Sequence, residues 1–547
     1  MALNLLRTKS IEQSLADTDE PEYQLKKTLS ALDLTVFGIG VIIGAGIFTL
    51  TGRAAHNTAG PAVIISFVIA AVCCALAAMC YAEFASTVPV SGSAYTFSYA
   101  ALGEIFAWII GWDLILECFL AASVVAQGWS AYFGVFLDQL TGQTGGHVLP
   151  DAIANGGNGN LGAFHYVDVM AILLCLVLGV LMIIGIKESM RVNMVLVVLK
   201  ICIVLFVIFA GMAFIKKANW HPFIPPATEV VPSGVDQTAG LTQPLLQWMT
   251  GMNPTFYGVG GIFAGAALVF FAYIGFDIVA TTAEEAKNPK RDLPIGIIAS
   301  LIICTILYCA VALVITGMLP TDQIAPSAAL ANAFASPTIN QPWMALIISA
   351  GAVCGLTTVV LTMLIGSTRL IFAMSRDGLF PTVLAKVHPK FRTPYVIGII
   401  VTVVCALVAG LTPVGILEEM VNIGTLSAFV MVSISVLVLR KKRPDLKRPF
   451  RVPFVPVVPI LSALICFYLM LNLAVETWMR FLIWLVIGFI VYFAYSHGHA
   501  RLQTHKALHE DVLEQMEEGI LTPEENRWPL VTDADNVEKP VTPEEYR

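Results

Sequence analysis

Twelve apolar stretches, each about as long as a membrane-crossing helix, occupy most of this 547-residue chain. They are 32–51, 62–88, 101–126, 165–186, 192–215, 260–282, 294–318, 343–373, 395–411, 415–439, 454–474 and 479–496. A helix needs about 20 mostly apolar residues to cross the hydrocarbon layer. Lipid offers no partner to a backbone N–H or C=O, so spans of this length have to be helical. Composition agrees: 57% of residues are hydrophobic and 13% charged, where a soluble domain has about a quarter charged. The expectation is an all-α integral membrane protein with twelve transmembrane helices. Several stretches exceed the minimum and would tilt or extend past the lipid.

The first stretch, LTVFGIGVIIGAGIFTL at 34–50, carries Gly38, Gly40, Gly44 and Gly46. Each glycine costs a helix roughly 1 kcal/mol relative to alanine. A break frees backbone polar groups that only protein, water or a bound polar molecule can satisfy. The Gly-Ala-Gly run therefore reads as a discontinuous helix that holds a small zwitterion. A second interruption follows in FAGAALVFFAYIGFDIVATTAEE, 263–285, where Gly275 ends an apolar run and Asp277 lies inside it. Paired breaks at corresponding positions of two halves point to a secondary-transporter site. Spans 1–5 and 6–10 are expected to form an inverted repeat, with spans 11–12 appended.

Lysine and arginine set the orientation. With the N-terminus inside, 20 of them fall on cytoplasmic segments before the C-tail and 4 on the other side: Arg53, Lys216, Lys217 and Arg480. Both termini are expected to be cytoplasmic. Residues 1–30 are polar and mixed in charge, so the first span is expected to act as the insertion signal. The division is then a cytoplasmic segment 1–31, a transport core 32–439 (32–215 and 260–439), a basic loop 440–453, helices 11–12 at 454–496, and an acidic tail 497–547. The run RKKRPDLKRPFR, 440–451, anchors topology and offers an anionic-lipid contact. The Gly/Asn-rich loop 145–160 is expected to be flexible, and the tail to carry one short amphipathic helix. That tail holds much of the net charge of −7, which removes a global case for nucleic-acid binding.

Charges at bilayer depth cost several kcal/mol and need a reason. Lys200 sits about nine residues into its span, roughly 13 Å deep. It is either a proton carrier, since a desolvated lysine has its pKa pulled toward neutrality, or a structural partner of a carboxylate. Glu117 in span three faces either the substrate or a buried cation; Asp113 lies one turn before it. Glu83 reads as a helix lock or cytoplasmic gate, Arg53 as an external gate, and Asp277 as cap or hinge of the sixth span. Arg369 and Arg376 belong to the inner end of span eight. Thr357 and Thr358 form a hydroxyl pair suited to sodium, a position for which Lys200 would compete. The eleven cysteines all lie in apolar stretches without metal spacing and read as small buried hydrophobes. No nucleophile–base pair or Walker loop appears, and the glycines of GIGVIIGAG do not follow a strand, so nucleotide binding and catalysis are disfavoured. No metal or cofactor is expected.

Over about residues 25–497 the chain resembles the amino acid–polyamine–organocation transporters, and within them bacterial members of the cationic amino acid transporter family. The marks are GIGVIIGAGIF (38–48), AGPAVIISF (59–67), YAEF (81–84), PVSGSAY (89–95), GWDLILE (111–117), GIKES (185–189), the Lys200 span, FFAYIGFD (270–277), EEAKNPKRDLPIGI (284–297), AMSRDGLFP (373–381) and FRVPFVPVVPI (450–460). The resemblance implies the five-plus-five inverted-repeat fold of leucine-type transporters, with helices 1 and 6 broken. It implies a substrate carboxylate at the N–H groups of Gly44, Ala45 and Gly46, which suits the positive end of a half-helix. The amine would meet carbonyls at Ile42, Phe271, Ala272 and Ile274. Glu117 corresponds to the family's cavity carboxylate and Lys200 to its proton-linked lysine. Ala45 stands where such proteins often carry a hydroxyl, so a side-chain contact is lost and the backbone contact kept.

These features predict a proton-coupled importer of neutral or cationic L-amino acids in a bacterial-type plasma membrane, in contact with lipid and with room for a small accessory membrane protein. Spans three, six and eight, including Leu356 and Thr357, would set selectivity; Leu356 suits small or branched neutral substrates. The alternatives are exchange, polyamine transport, or a membrane sensor that binds an amino acid and signals through its tail.

Overall fold

The computed structural model describes residues 29–88, 93–142, 148–149, 167–184, 190–228, 240–251, 256–389, 391, 393–500, 531–532 and 538–539. The expectations for residues 1–28, for most of the Gly/Asn-rich loop and for nearly all of the tail fall outside them, as do Lys187, Lys390 and Arg392.

Among the described residues, eight helices are long and apolar enough to cross a membrane, and four shorter apolar helices, Ala31–Ile42, Val169–Ile184, Tyr395–Leu411 and Val457–Leu471, accompany them. Together they account for twelve spans. The longest segment, Gly46–Thr87, holds the second half of span one and all of span two, bent where Gly60 takes a φ of 60°. The other spans are Glu104–Thr141 (three), Val169–Ile184 (four), Met190–Met212 (five), Gly258–Thr281 with its break (six), Pro289–Met318 (seven), Pro342–Arg376 (eight), Tyr395–Leu411 (nine), Val414–Lys442 (ten), Val457–Leu471 (eleven) and Val475–Val491 (twelve). Span three runs well past the expected residue 126. Its extension is held by polar contacts that hydropathy does not register: Gln127 donates to the carbonyls of Ala409 and Thr412, and Ser130 to Asp168.

Span one begins at a capping box, in which the Asp33 carboxylate accepts from the Ser30 N–H and the Ser30 hydroxyl caps the Asp33 N–H. Just before it, Leu29 pairs with the end of span six through Leu29 N–H to Glu285 O (2.9 Å) and Lys287 N–H to Leu29 O (2.8 Å). The side on which the chain enters span one is called the N-terminal face below.

The packing of the first ten spans has an internal symmetry. Span seven packs on spans one and two, and span two packs on spans six and seven. Span three packs on eight, nine and ten; span eight packs on three, four and five. Spans four and nine pack on each other. Exchanging one to five for six to ten turns this pattern into itself. The short helix Ser93–Ala101, between spans two and three, has its counterpart in Ala329–Ala335, between spans seven and eight. The first packs on span three and the second half of span six; the second packs on span eight and the second half of span one.

Spans eleven and twelve attach to this core. Span eleven packs on spans two and ten, and span twelve on spans three and ten. Trp108 and Trp112 donate to the carbonyls of Gly488 and Trp484, and the Trp112 and Trp484 rings stack at 4.4 Å and 19°. The outer face of span twelve, with Leu482, Ile483, Val486 and Ile490, is exposed and apolar, as a lipid-facing surface has to be. Cys202 and Cys354 are likewise exposed on apolar spans, so the expectation of burial holds for most but not all of the cysteines.

Candidate functional site

The α-helical part of span one ends at Ile42. Ile43 N–H still bonds Ile39 O (2.9 Å), but its ψ of 89° turns the chain out of the helix. The chain resumes as a π-helical turn at Gly46–Leu50. Among the described residues, the N–H groups of Gly44 and Ala45 donate to no backbone carbonyl. With Gly46 they form the free N-terminal end of the second half-helix. Such an end, with N–H groups and the positive pole of the helix dipole, is suited to an anion.

Span six breaks beside it. The helix Gly258–Val269 tightens into a 3-10 turn at Phe270–Tyr273, Ile274 is extended, and Gly275 takes a φ of 122°, which favours glycine. Asp277, in the first turn of the second half, accepts from the Gly275 N–H (3.2 Å). The two breaks touch. A Cβ on Gly46 would lie 2.3 Å from the Ala272 Cα, so only glycine permits this approach. Ile42, Gly44, Ala45, Gly46, Phe271, Ala272 and Ile274 are all buried at this junction.

The broken ends are held by side chains from three other spans. Lys200 of span five, 1% exposed, donates to Gly40 O at 2.7 Å. In an unbroken helix that carbonyl would accept from Gly44, so the lysine replaces the bond that the break removes. A cation at a helix C-terminus also meets the negative pole of the dipole. Tyr308 of span seven places its hydroxyl 2.7 Å from Ile42 O and 2.9 Å from Ala272 O, bridging the two breaks. Asn422 of span ten donates to Ala267 O (2.9 Å) and Leu268 O (3.3 Å) at the end of the sixth half-helix. Neither Tyr308 nor Asn422 was expected. One Tyr or Asn in an apolar span is a faint signal, and its only trace is that a buried polar side chain needs a partner.

Glu117 is 3% exposed, and its Oε2 has no hydrogen-bond partner among the described residues. Asp113, one turn away, accepts from the Ser427 hydroxyl at 2.6 Å. On span eight Leu356 is buried, whereas Thr357 is partly exposed and its hydroxyl bonds Val353 O in its own helix. The Thr358 hydroxyl bonds Gly355 O. The residue of span eight that faces Gly44 is Val359, 3.3 Å from where a Cβ would be. The hydroxyl pair is thus bonded within span eight, and the wall opposite the first break is apolar. Gly355 faces Lys200, whose stem lies 3.1 Å from a Cβ built there. Among the described residues no cluster of three His, Cys, Asp or Glu side chains is arranged to hold a metal.

The gate candidates Arg53 and Glu83 are both held in ion pairs. Arg53 pairs with the buried Glu418 of span ten at 2.7 Å. Glu83 accepts from Arg440 Nε (2.8 Å) and Nη2 (2.5 Å) and from the Val452 N–H (2.7 Å), with Arg448 at 3.5 Å. It ties span two to the loop after span ten. In that loop Arg443 bonds Asp445 and holds its carboxyl below the usual carboxylate range. Arg369, at the end of span eight, is 3.8 Å from Glu285.

An amino acid permease family model matches residues 29–494. The chain belongs to the amino acid permease family. This permease is 49% identical over 504 residues to the branched-chain amino acid permease BcaP of Bacillus subtilis, an alignment covering 91% of this chain and 99% of that one. It is 44% identical to the methylthioribose transporter of the same organism, with the same coverage. Its identity to the vacuolar cationic amino acid transporter 4 of Arabidopsis thaliana is 37%, over 81% of this chain and 68% of that one. This permease is thus a multi-pass membrane transporter of amino acids.

Proposed function

We propose that this permease imports branched-chain L-amino acids by proton symport across the plasma membrane of a bacterial-type cell, with both termini cytoplasmic. One observation carries the reading: two touching helix breaks that leave the N–H groups of Gly44 and Ala45 unmet, with Val359 facing Gly44. The N–H groups suit a carboxylate, and the carbonyls of Ile42 and Ala272 beside Tyr308 suit an ammonium. An apolar wall suits an aliphatic side chain. The similarity to a branched-chain amino acid permease supports the same substrate class. Glu117 is the cavity carboxylate in this reading, and Lys200 is the proton-linked group. A proton on Lys200 strengthens its bond to Gly40 O, and so acts directly on the end of the first half-helix. The N-terminal face is the cytoplasmic one by the distribution of lysine and arginine.

Counterflow uptake in proteoliposomes with labelled leucine, isoleucine, valine, arginine and putrescine, with and without an inward proton gradient, tests the reading. Leucine-type uptake that rises with the gradient is expected, and Lys200→Met is expected to lose the gradient-driven part entirely. Equal uptake driven by sodium at fixed pH would overturn the coupling.

A second reading is import of methylthioribose, favoured by the similarity to the methylthioribose transporter. That molecule brings hydroxyls and a thioether but neither a carboxylate nor an ammonium. Uptake of it, unaffected by excess leucine, would replace the first reading.

A further inference from the structure

The loop after span ten and the chain after span twelve both emerge on the N-terminal face, where the even-numbered spans end. The fold divides the basic run 440–451 in two. Arg440 and Arg448 turn inward, to Glu83 and to carbonyls of the loop, and Arg443 is held by Asp445. Lys441, Lys442 and Lys447 are exposed. Lys442 rests its ammonium on Ala101 O at 3.4 Å, at the C-terminal end of the short helix Ser93–Ala101. A cation there meets the negative pole of the helix. Arg451 is exposed too, but it lies three residues before Phe454, which is 82% exposed and leads into the exposed apolar side of span eleven, with Val457 and Ile460. Span ten is different. It is packed by spans two, three, eleven and twelve and by the short helix. Its inner end therefore lies among other helix ends, set back from the lipid rim.

The tail begins beside this place. The helix of span twelve continues to His499. Near its end Tyr492 donates to Glu104 at 2.8 Å and Ser496 donates to Leu379 O at 2.6 Å. Glu104 is three residues from the carbonyl that Lys442 holds. The chain that follows is strongly acidic: residues 501–547 carry twelve Asp and Glu against five Lys and Arg. Seven of those acids fall between Glu510 and Glu525, with no Lys or Arg among them. Glu510, Glu514, Glu517 and Glu518 recur at the spacing of one helix face. The ten residues from Ala500 to Glu510 reach at most about 36 Å. A short tether of this kind gives an effective concentration of about millimolar. We propose that the acidic segment 510–525 folds back on Lys441, Lys442 and Lys447 and covers them. The contact adds to the transport reading and does not depend on which substrate is carried. Charge is screened over about 8 Å in physiological salt and about 3 Å at 1 M, so rising ionic strength lifts the cover. The inner end of span ten, tied to span two through Arg440 and Glu83, thereby becomes responsive to salt.

The test is carbodiimide cross-linking of the full-length transporter in phosphatidylcholine nanodiscs, one chain per disc, with the products mapped by mass spectrometry. Amide links from Lys441, Lys442 or Lys447 to acids between Glu510 and Glu525 are expected. Raising the salt to about 1 M is expected to remove them. Acetylation of the same lysines is expected to be at least about threefold faster when Glu514→Gln, Glu517→Gln and Glu518→Gln are combined, because three exposed ion pairs are lost together. Absence of the links, or equal acetylation rates in the two chains, overturns the proposal. Lysines that are protected only when phosphatidylglycerol is added, and equally in both chains, assign the run to the membrane surface and overturn it as well. Should the combined variant not fold, the links in the wild-type chain and their loss in salt decide the matter alone. Neither arm reads uptake, so failure here leaves the transport reading standing, and failure of that reading leaves this contact standing.

Discussion

Tyr308 carries much of the site with one hydroxyl. That group has a single proton and two carbonyl neighbours, Ile42 O and Ala272 O, so it bridges the breaks without saturating either acceptor. Each carbonyl keeps a lone pair for a ligand. Tyr308→Phe removes that donor, at about 1–3 kcal/mol for a buried unmet group. The variant is expected to show a lower thermal midpoint in detergent. Leucine should narrow the gap to wild type, because its ammonium supplies the missing donor. A gap that leucine does not change would separate these carbonyls from the substrate site. Lys200 and Tyr308 differ in how visible they are. A lysine nine residues into an apolar run stands out by cost alone, whereas a tyrosine in such a run is ordinary. Thr357 shows the converse. Its hydroxyl suggested a polar contact, yet in a helix a threonine satisfies itself on the carbonyl four residues back.

The broken spans were legible as elements because glycine and depth in lipid are both written in the chain. Their partners were not. Which residue of span eight faces Gly44 depends on the rotation of a 35-residue helix, and positions 357 and 359, two residues apart, differ by about 200° around its axis. The two glycines of the break also differ in a way that spacing does not reveal. A Cβ on Gly46 meets backbone at 2.3 Å, which cannot yield, whereas one on Gly44 meets a Val359 methyl at 3.3 Å. Gly46→Ala is therefore expected to abolish leucine uptake with the protein still inserted in the membrane. Gly44→Ala is expected to retain part of it. Overpacking of this kind costs about 1–3 kcal/mol where side chains can shift. Uptake assays normalised to surface protein would check both, and equal loss in the two variants would contradict the geometry.

At the scale of the whole molecule, span ten is tied by ion pairs near both ends, and the sign alternates. Its Glu418 takes Arg53 of span one at one end, and its Arg440 takes Glu83 of span two at the other. Glu83 is buried and Arg440 is 25% exposed, so breaking this pair costs less than the about 3–5 kcal/mol of a fully buried one. Glu83→Gln is expected to lower the thermal midpoint clearly and to expose the N-terminal face to thiol reagents at cysteines introduced there; an unchanged midpoint would make the pair ornamental. The packing symmetry was foreseeable from the paired breaks, but the ion pairs were not, since each joins residues more than 350 positions apart. The attachment of span twelve has a consequence of its own. Trp108, Trp112 and Trp484, three of the nine tryptophans, form one stack with neighbouring rings 5.6 and 4.4 Å apart. Rings this close share their excited states, so the stack is a built-in optical probe of whether span twelve rides with span three. A near-ultraviolet dichroism band that stays constant while substrate is added would mean that the moving parts turn within a frame that keeps its shape.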